Sequence, residues 1–222
     1  MLHLHDVYAT KNNTYIITEL CEGDLNNILR QRKTLPYHEA IEIMRQLIEG
    51  YAEIHQAGFV HRDIKPANVF HLKGVYKFGD FGFAVPINEL GQHKNYNVGS
   101  PVYMPPEALK HNNYSISCDI WALGIIFYQM VKGVVPWRAM SEKVLYDKIM
   151  NEPLEQLITG MPEIARRFMG EVLNLDPKAR PSVDRMVQWA SQLKAAHIEP
   201  PRFLSPYEGR GRTSGSKGAP LR

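Results

Sequence analysis

The sequence predicts an α+β fold: a short strand hairpin leading into a mainly α-helical body. Two apolar runs open the chain with turn-forming residues between them. Beyond residue 36, long segments repeat their apolar side chains at helical spacing. Only short β-like pieces, around residues 68–78, interrupt the helical part, and no internal repeat is present.

The elements follow in order. Residues 4–9 and 15–20 are β-like, and Lys11-Asn12-Asn13 between them favours a tight turn, so an antiparallel hairpin is expected. Residues 24–32 read as a short helix. Pro36 suits the first turn of a longer one, whose Ile41, Met44, Ile48, Tyr51, Ala52 and His55 fall on one face. Residues 68–72 and 75–78 are short β-like runs, and an Asn- and Gly-rich loop extends to about Gly99. Residues 118–131 are apolar nearly all round, as a helix buried within protein would be. Amphipathic helices are expected at 144–151, 163–173 and 183–193. From His197 the periodicity stops. Four Pro and four Gly among the last 26 residues describe a disordered tail, so the domain is read as 1–196 and the tail as 197–222.

Composition excludes several function classes. The longest strongly apolar run, 120–128, is far short of the ~20 residues a membrane span needs. The opening residues lack the basic and apolar regions of a secretory signal. Cys21 and Cys118 have no metal-ligand or redox spacing, which fits a reducing compartment, cytoplasmic or nuclear. The formal net charge of +3 resides in the tail, where five basic residues face two acidic ones. The rest of the chain is balanced, so no nucleic-acid-binding face is expected.

The chemistry is concentrated in His61-Arg62-Asp63-Ile64-Lys65-Pro66-Ala67-Asn68. Six fixed residue types at ~5% usage each match a given window by chance on the order of once in 10⁸. Asp80-Phe81-Gly82 follows, then Pro105-Pro106-Glu107, then Asp119-Ile120-Trp121 and finally Arg180. In that order and spacing the chain resembles the eukaryotic serine/threonine protein kinases, with their H-R-D-x-K-P-x-N, D-F-G and A-P-E motifs. The resemblance implies a protein kinase-like fold, the mainly helical C-lobe with the last two strands of the N-lobe. The activity it implies is transfer of the γ-phosphate of ATP, with Mg²⁺, to Ser or Thr of protein substrates.

The residue types suit that reaction, which requires an aligned hydroxyl and neutralised phosphate charge. By resemblance Asp63 is the catalytic base, Lys65 reaches the transferring phosphate, and Asn68 and Asp80 hold Mg²⁺ through hard oxygen donors. Lys65 and Ser100 mark the serine/threonine type. Backbone groups of Glu19 and Cys21 correspond to the adenine hinge behind gatekeeper Thr18. Asp24 corresponds to the ribose contact if one linker glycine is deleted, and Phe70 to the floor of the adenine pocket. Leu4, His61 and Phe81 fit three of the four stacked side chains of the regulatory spine. Asp119 is expected to accept backbone N–H bonds from the catalytic loop, and Glu107 to pair with Arg180. For Cys21 a reactive thiol at the pocket mouth stands beside the plainer reading of an inert cysteine. Phe83 implies a preference for serine over threonine, and Ala67 implies no strict requirement for arginine three residues before the acceptor.

No G-x-G-x-x-G precedes Thr18, and neither the V-A-I-K-type lysine nor an αC glutamate can be placed. The 222 residues are therefore expected to begin within the smaller lobe and to transfer little phosphate by themselves. The alternative is a catalytically inactive docking or scaffold module. Residues 80–84 and 99–104 look most like the autophagy-initiating kinases. Between Phe83 and Gly99 there is no Ser or Thr, only Tyr96, so activation is not expected to depend on a phosphorylated Ser or Thr there.

Overall fold

The computed structural model describes residues 1–90 and 98–195. The expected tail and Tyr96 lie outside the described residues. The order of elements begins with β1 (Leu4–Ala9) and β2 (Thr14–Thr18), then β3 (Gly23–Asp24), α1 (Leu25–Arg32) and α2 (Tyr37–Gln56). Next come β4 (Phe59–Val60), β5 (Val69–Leu72), β6 (Val75–Phe78) and β7 (Val85–Pro86). The helices α3 (Pro106–His111), α4 (Ile116–Lys132), α5 (Glu142–Asn151), α6 (Leu154–Leu157), α7 (Glu163–Val172) and α8 (Val183–Ala195) complete the body.

The expected hairpin is present. Strands β1 and β2 are antiparallel, with Tyr8 opposite Tyr15 and Ala9 opposite Thr14, and the Thr10 N–H closes the turn on the Asn13 carbonyl at 2.7 Å. Every residue of both strands is exposed. Side chains alternate between faces along a strand, so exposed Tyr15 and Ile17 on one face and Ile16 on the other leave both faces of β2 apolar and wet.

Helix α1 starts where the Asp24 carboxylate accepts the Asn27 N–H at 2.8 Å, satisfying one of the unpaired donors of a helix N-terminus. Helix α2 buries a broader face than its strict periodicity suggested. Ile43, Leu47 and Ile54 join Ile41, Met44, Ile48 and Tyr51 in the core, whereas Ala52 and His55 are only half-buried. The β5–β6 hairpin turns at Lys73 and Gly74, both left-handed (φ 51° and 78°), as a two-residue hairpin turn requires.

Helix α4 is the centre of the body. Its residues from Cys118 to Tyr128 are all buried, in keeping with their all-round apolarity. It packs against α2 and α7, and α8 packs along α2. A Cβ on Gly124 would lie 2.6 Å from Val172, so only glycine allows α4 and α7 this close. Phe127, Phe168 and Trp189 meet edge to face, at 5.4 and 5.6 Å, while Trp121 stacks on Trp137 at 5.7 Å. Each fully buried large side chain contributes about 1.5–3 kcal/mol of transfer free energy. Both of those stacked tryptophans are therefore core residues and no platform for bases. Among the described residues, no helix is long and apolar enough to cross a membrane.

Helix α3 and the one-turn α6 were not anticipated. At six and four residues they are too short to show a helical period.

Cys118 lies in this core beside Glu107, and burial with that neighbouring carboxylate pushes its thiol up to about 12. At pH 8 almost none is thiolate, the reactive form. A chromogenic disulfide reagent should therefore leave Cys118 unmodified in the folded chain and label it once guanidinium unfolds the protein. Prompt native labelling of Cys118 would mean that the α3–α4 contact opens readily. Partly exposed Cys21, its thiol also raised by burial, should react slowly without unfolding.

Candidate active site

The predicted catalytic residues lie on the loop between β4 and β5, and a carboxylate from α4 shapes that loop. Asp119 is 1% exposed. Its two oxygens accept the backbone N–H groups of His61 at 2.7 Å and Arg62 at 2.9 Å. Burial pushes its carboxyl above the usual value, opposed by His61, by these two N–H groups and by the Tyr51 hydroxyl. Tyr51, which the sequence marked only as core, also bonds the Ile116 carbonyl at 3.2 Å. Held in this way, Arg62 adopts a left-handed φ of 66°, uncommon for a non-glycine residue.

His61 is fully buried and links the loop to the next strand. Its Nε2 lies 3.2 Å from the Gly79 carbonyl, and its Nδ1 lies 3.4 Å from the Asp63 N–H. One neutral tautomer, protonated at Nε2, satisfies both. Its ring packs 5.1 Å from that of Phe81, the pairing the resemblance implied. Leu4, the other proposed spine member, is 52% exposed.

Asp63 is 3% exposed, and its two oxygens differ. Oδ2 accepts from Lys65 Nζ at 2.7 Å and from Asn68 Nδ2 at 3.0 Å, whereas Oδ1 has only a long contact, 3.4 Å, with the Ser100 hydroxyl. Asn68 Nδ2 also donates to the Asp63 carbonyl at 2.9 Å. Both partners are acceptors, so the amide nitrogen must face Asp63 and the amide oxygen is left as a hard donor. Gly79 N–H bonds the Asn68 carbonyl at 3.0 Å, tying the backbone beside Asp80 to Asn68. Asp80, at a left-handed φ of 58°, presents an exposed carboxylate.

The hinge residues meet this centre through a three-stranded sheet ordered β3-β5-β6. Asp24 pairs with Phe70, and Phe70 with Lys77. Lys77, unmarked by any motif, holds the Glu19 carboxylate at 2.7 and 2.9 Å, and its ammonium, with the His3 N–H, keeps that carboxyl below its usual value. The Glu19 N–H bonds the His3 carbonyl, 3.0 Å away, which secures the hinge to β1.

On the opposite side, Gly99 (φ 99°) lets the chain lie against the Arg62 carbonyl, which a Cβ would approach to 2.8 Å, and Ser100 follows beside Asp63. Below, Arg180, its side chain fully buried, grips Glu107 with two bonds of 2.6 and 2.9 Å. Removing either partner of such a pair strands a desolvated charge, at about 3–5 kcal/mol.

Comparison with known proteins agrees with this geometry. The family model described as protein kinase domain matches residues 1–190. The chain belongs to the protein kinase domain family. Its fold is accordingly the α+β kinase fold. It is 33% identical over 190 residues to the mouse protein named inactive serine/threonine-protein kinase PLK5, covering 83% of this chain and 31% of that protein. Identity is 32% to hormonally up-regulated neu tumor-associated kinase homolog A of Xenopus laevis, covering 90% and 30%. It is 28% to bovine serine/threonine-protein kinase 33, covering 92% and 46%. This kinase chain thus spans less than half the length of these relatives.

One glycine fixes the floor of the site. A Cβ on Gly79 would lie 2.6 Å from Leu2 Cδ1 and 2.8 Å from Phe70 Cε2, so both side chains would have to shift to admit it. Gly79→Ala should lower stability by about 1–3 kcal/mol, as overpacking does, read from the urea midpoint. An unchanged midpoint would show that Phe70 is free to move.

Proposed function

We propose that the protein transfers the γ-phosphate of ATP to serine or threonine of protein substrates, with Asp63, Lys65, Asn68 and Asp80 at the reacting phosphate. The observation that carries this is the asymmetry of Asp63. One oxygen is saturated by Lys65 and Asn68, and the other is held within reach of a hydroxyl by a rigid, buried loop. A substrate hydroxyl donating to Oδ1 is aligned for attack, and Asp63 accepts its proton late in transfer. Lys65 Nζ, fixed by Asp63, offers positive charge to the moving phosphoryl group.

The donor set fits Mg²⁺. Asn68 and Asp80 supply hard oxygens, and among the described residues no three His, Cys, Asp or Glu side chains are grouped to hold a metal unaided. Mg²⁺ is characteristically bound by one or two protein oxygens together with nucleotide phosphates and water. When bound, it neutralises phosphate charge. Backbone groups of Glu19 and Cys21 would hold adenine over Phe70, and Asp24 would hold ribose. The N-cap bond of Asp24 occupies part of its carboxylate, so a ribose hydroxyl would share it.

One relative is named inactive, and that name describes that protein. The four reacting-centre residues are all present here. The scaffold reading rests on the glycine-rich loop and lysine that these 222 residues lack, and the exposed apolar side chains of the hairpin would suit a covering partner.

Phosphate transfer to a serine peptide, measured with these residues joined to an upper lobe bearing that loop and lysine, should fall about 10²–10⁴-fold on Asp63→Ala. Transfer undiminished by the substitution would remove Asp63 from the chemistry. The 222 residues alone should give almost none, because each missing preorganised donor costs about 10²–10³ in rate.

A further inference from the structure

Both flanks of the segment between Phe83 and Gly99 meet at one pair of side chains, Arg62 and Tyr114. Arg62 Nε donates to the Phe83 carbonyl at 2.7 Å. Its guanidinium lies 5.7 Å from the centroid of the Tyr114 ring, within cation–π range. The Tyr114 hydroxyl donates to the carbonyl of Val98 at 2.5 Å, and Val98 is buried. Gly99, the next residue, rests on the Arg62 carbonyl, and Ser100 follows beside Asp63. One hydroxyl thus sets the backbone two residues before Ser100, whose own hydroxyl faces the free oxygen of the proposed base.

We infer that Tyr114 is a positioning residue, which with Arg62 clamps both flanks of this segment and holds Ser100 against Asp63 without any phosphate on the segment. The inference rests on the kinase reading for its purpose, though its contacts stand apart from it. Arg62 makes a neutral bond and a ring contact where an anion could otherwise satisfy it. The stretch 83–99 contains no Ser or Thr to carry a phosphate. The clamp is local, because Arg62 is aimed by Asp119 from α4 and Tyr114 directly precedes the Ser115 cap of that helix.

Hydrogen exchange on the phosphatase-treated 222-residue chain tests this, and its readout does not depend on phosphate transfer. The reporters beyond Gly99 are the Tyr103 and Met104 amides, bonded to Ser100 and Pro101, and the reporter after Phe83 is the Ala84 amide, bonded to Phe81. All three should be protected without phosphate. Tyr114→Phe keeps the ring and loses the hydroxyl, so Tyr103 and Met104 should exchange about three- to tenfold faster while Ala84 is unchanged. Arg62→Lys removes the Nε donor and should accelerate Ala84. A merely structural role for Tyr114 would loosen both flanks alike, together with amides of α4. That pattern would overturn the inference, as would no change in Tyr114→Phe or protection that appears only after Tyr96 is phosphorylated. Failure of the kinase reading alone would leave these exchange rates as expected.

Discussion

The Asp119 carboxylate is the contact on which the active centre depends. It sits on a helix buried from Cys118 to Tyr128, and both its oxygens are used by consecutive backbone N–H groups of the catalytic loop. Burying a carboxylate in an apolar helix is unfavourable by several kcal/mol unless its lone pairs are satisfied. Satisfying them forces the His61–Arg62 backbone into one shape, which includes the left-handed turn at Arg62. That turn delivers Arg62 towards Phe83 and Tyr114, places His61 beneath Phe81, and presents Asp63 to Lys65 and Asn68. The desolvation of one side chain is thereby converted into the position of three others.

The site is a junction of separately supported parts. The helical body holds the catalytic loop through Asp119. The β3-β5-β6 sheet holds the hinge and floor, pinned by Gly79 and by the Lys77–Glu19 pair. The segment after Gly99 is held by Arg62 and Tyr114. His61 joins the first two, through the Gly79 carbonyl and the Phe81 ring. Rigid support from several directions keeps reacting groups within tenths of an ångström, which transfer through positioning and electrostatics requires. The hairpin contrasts with this, since it is tied to the rest mainly through Leu2, His3 and Glu19 and keeps both faces exposed.

Much of this was legible in the sequence, for identifiable reasons. Helices α2, α5, α7 and α8 announced themselves because each is long enough to show its period, and α4 because its long run is apolar nearly all round. The roles of Asp119, Glu107 and Arg180 were readable through the family motifs that they belong to. Helices α3 and α6 escaped because one or two turns carry no period. Lys77, Tyr51 and Tyr114 escaped for a different reason: their partners lie 58, 65 and 16 residues away, and nothing local distinguishes them from ordinary surface or core residues. Ile54 replaced His55 on the buried face of α2 because tertiary packing selects a wider stripe than strict spacing does.

The claim that Asp119 organises the active centre is tested most directly by Asp119→Asn. The amide oxygen can accept from one backbone N–H, but its NH₂ group cannot accept from the other, so one buried donor loses its partner. Equilibrium unfolding should show a loss of about 1–3 kcal/mol. Hydrogen exchange in the same sample should quicken at His61 or Arg62 while the amides of α8 keep their protection. Stability within about 0.5 kcal/mol of wild type, the range of an ordinary surface substitution, with the loop amides still protected, would contradict the account.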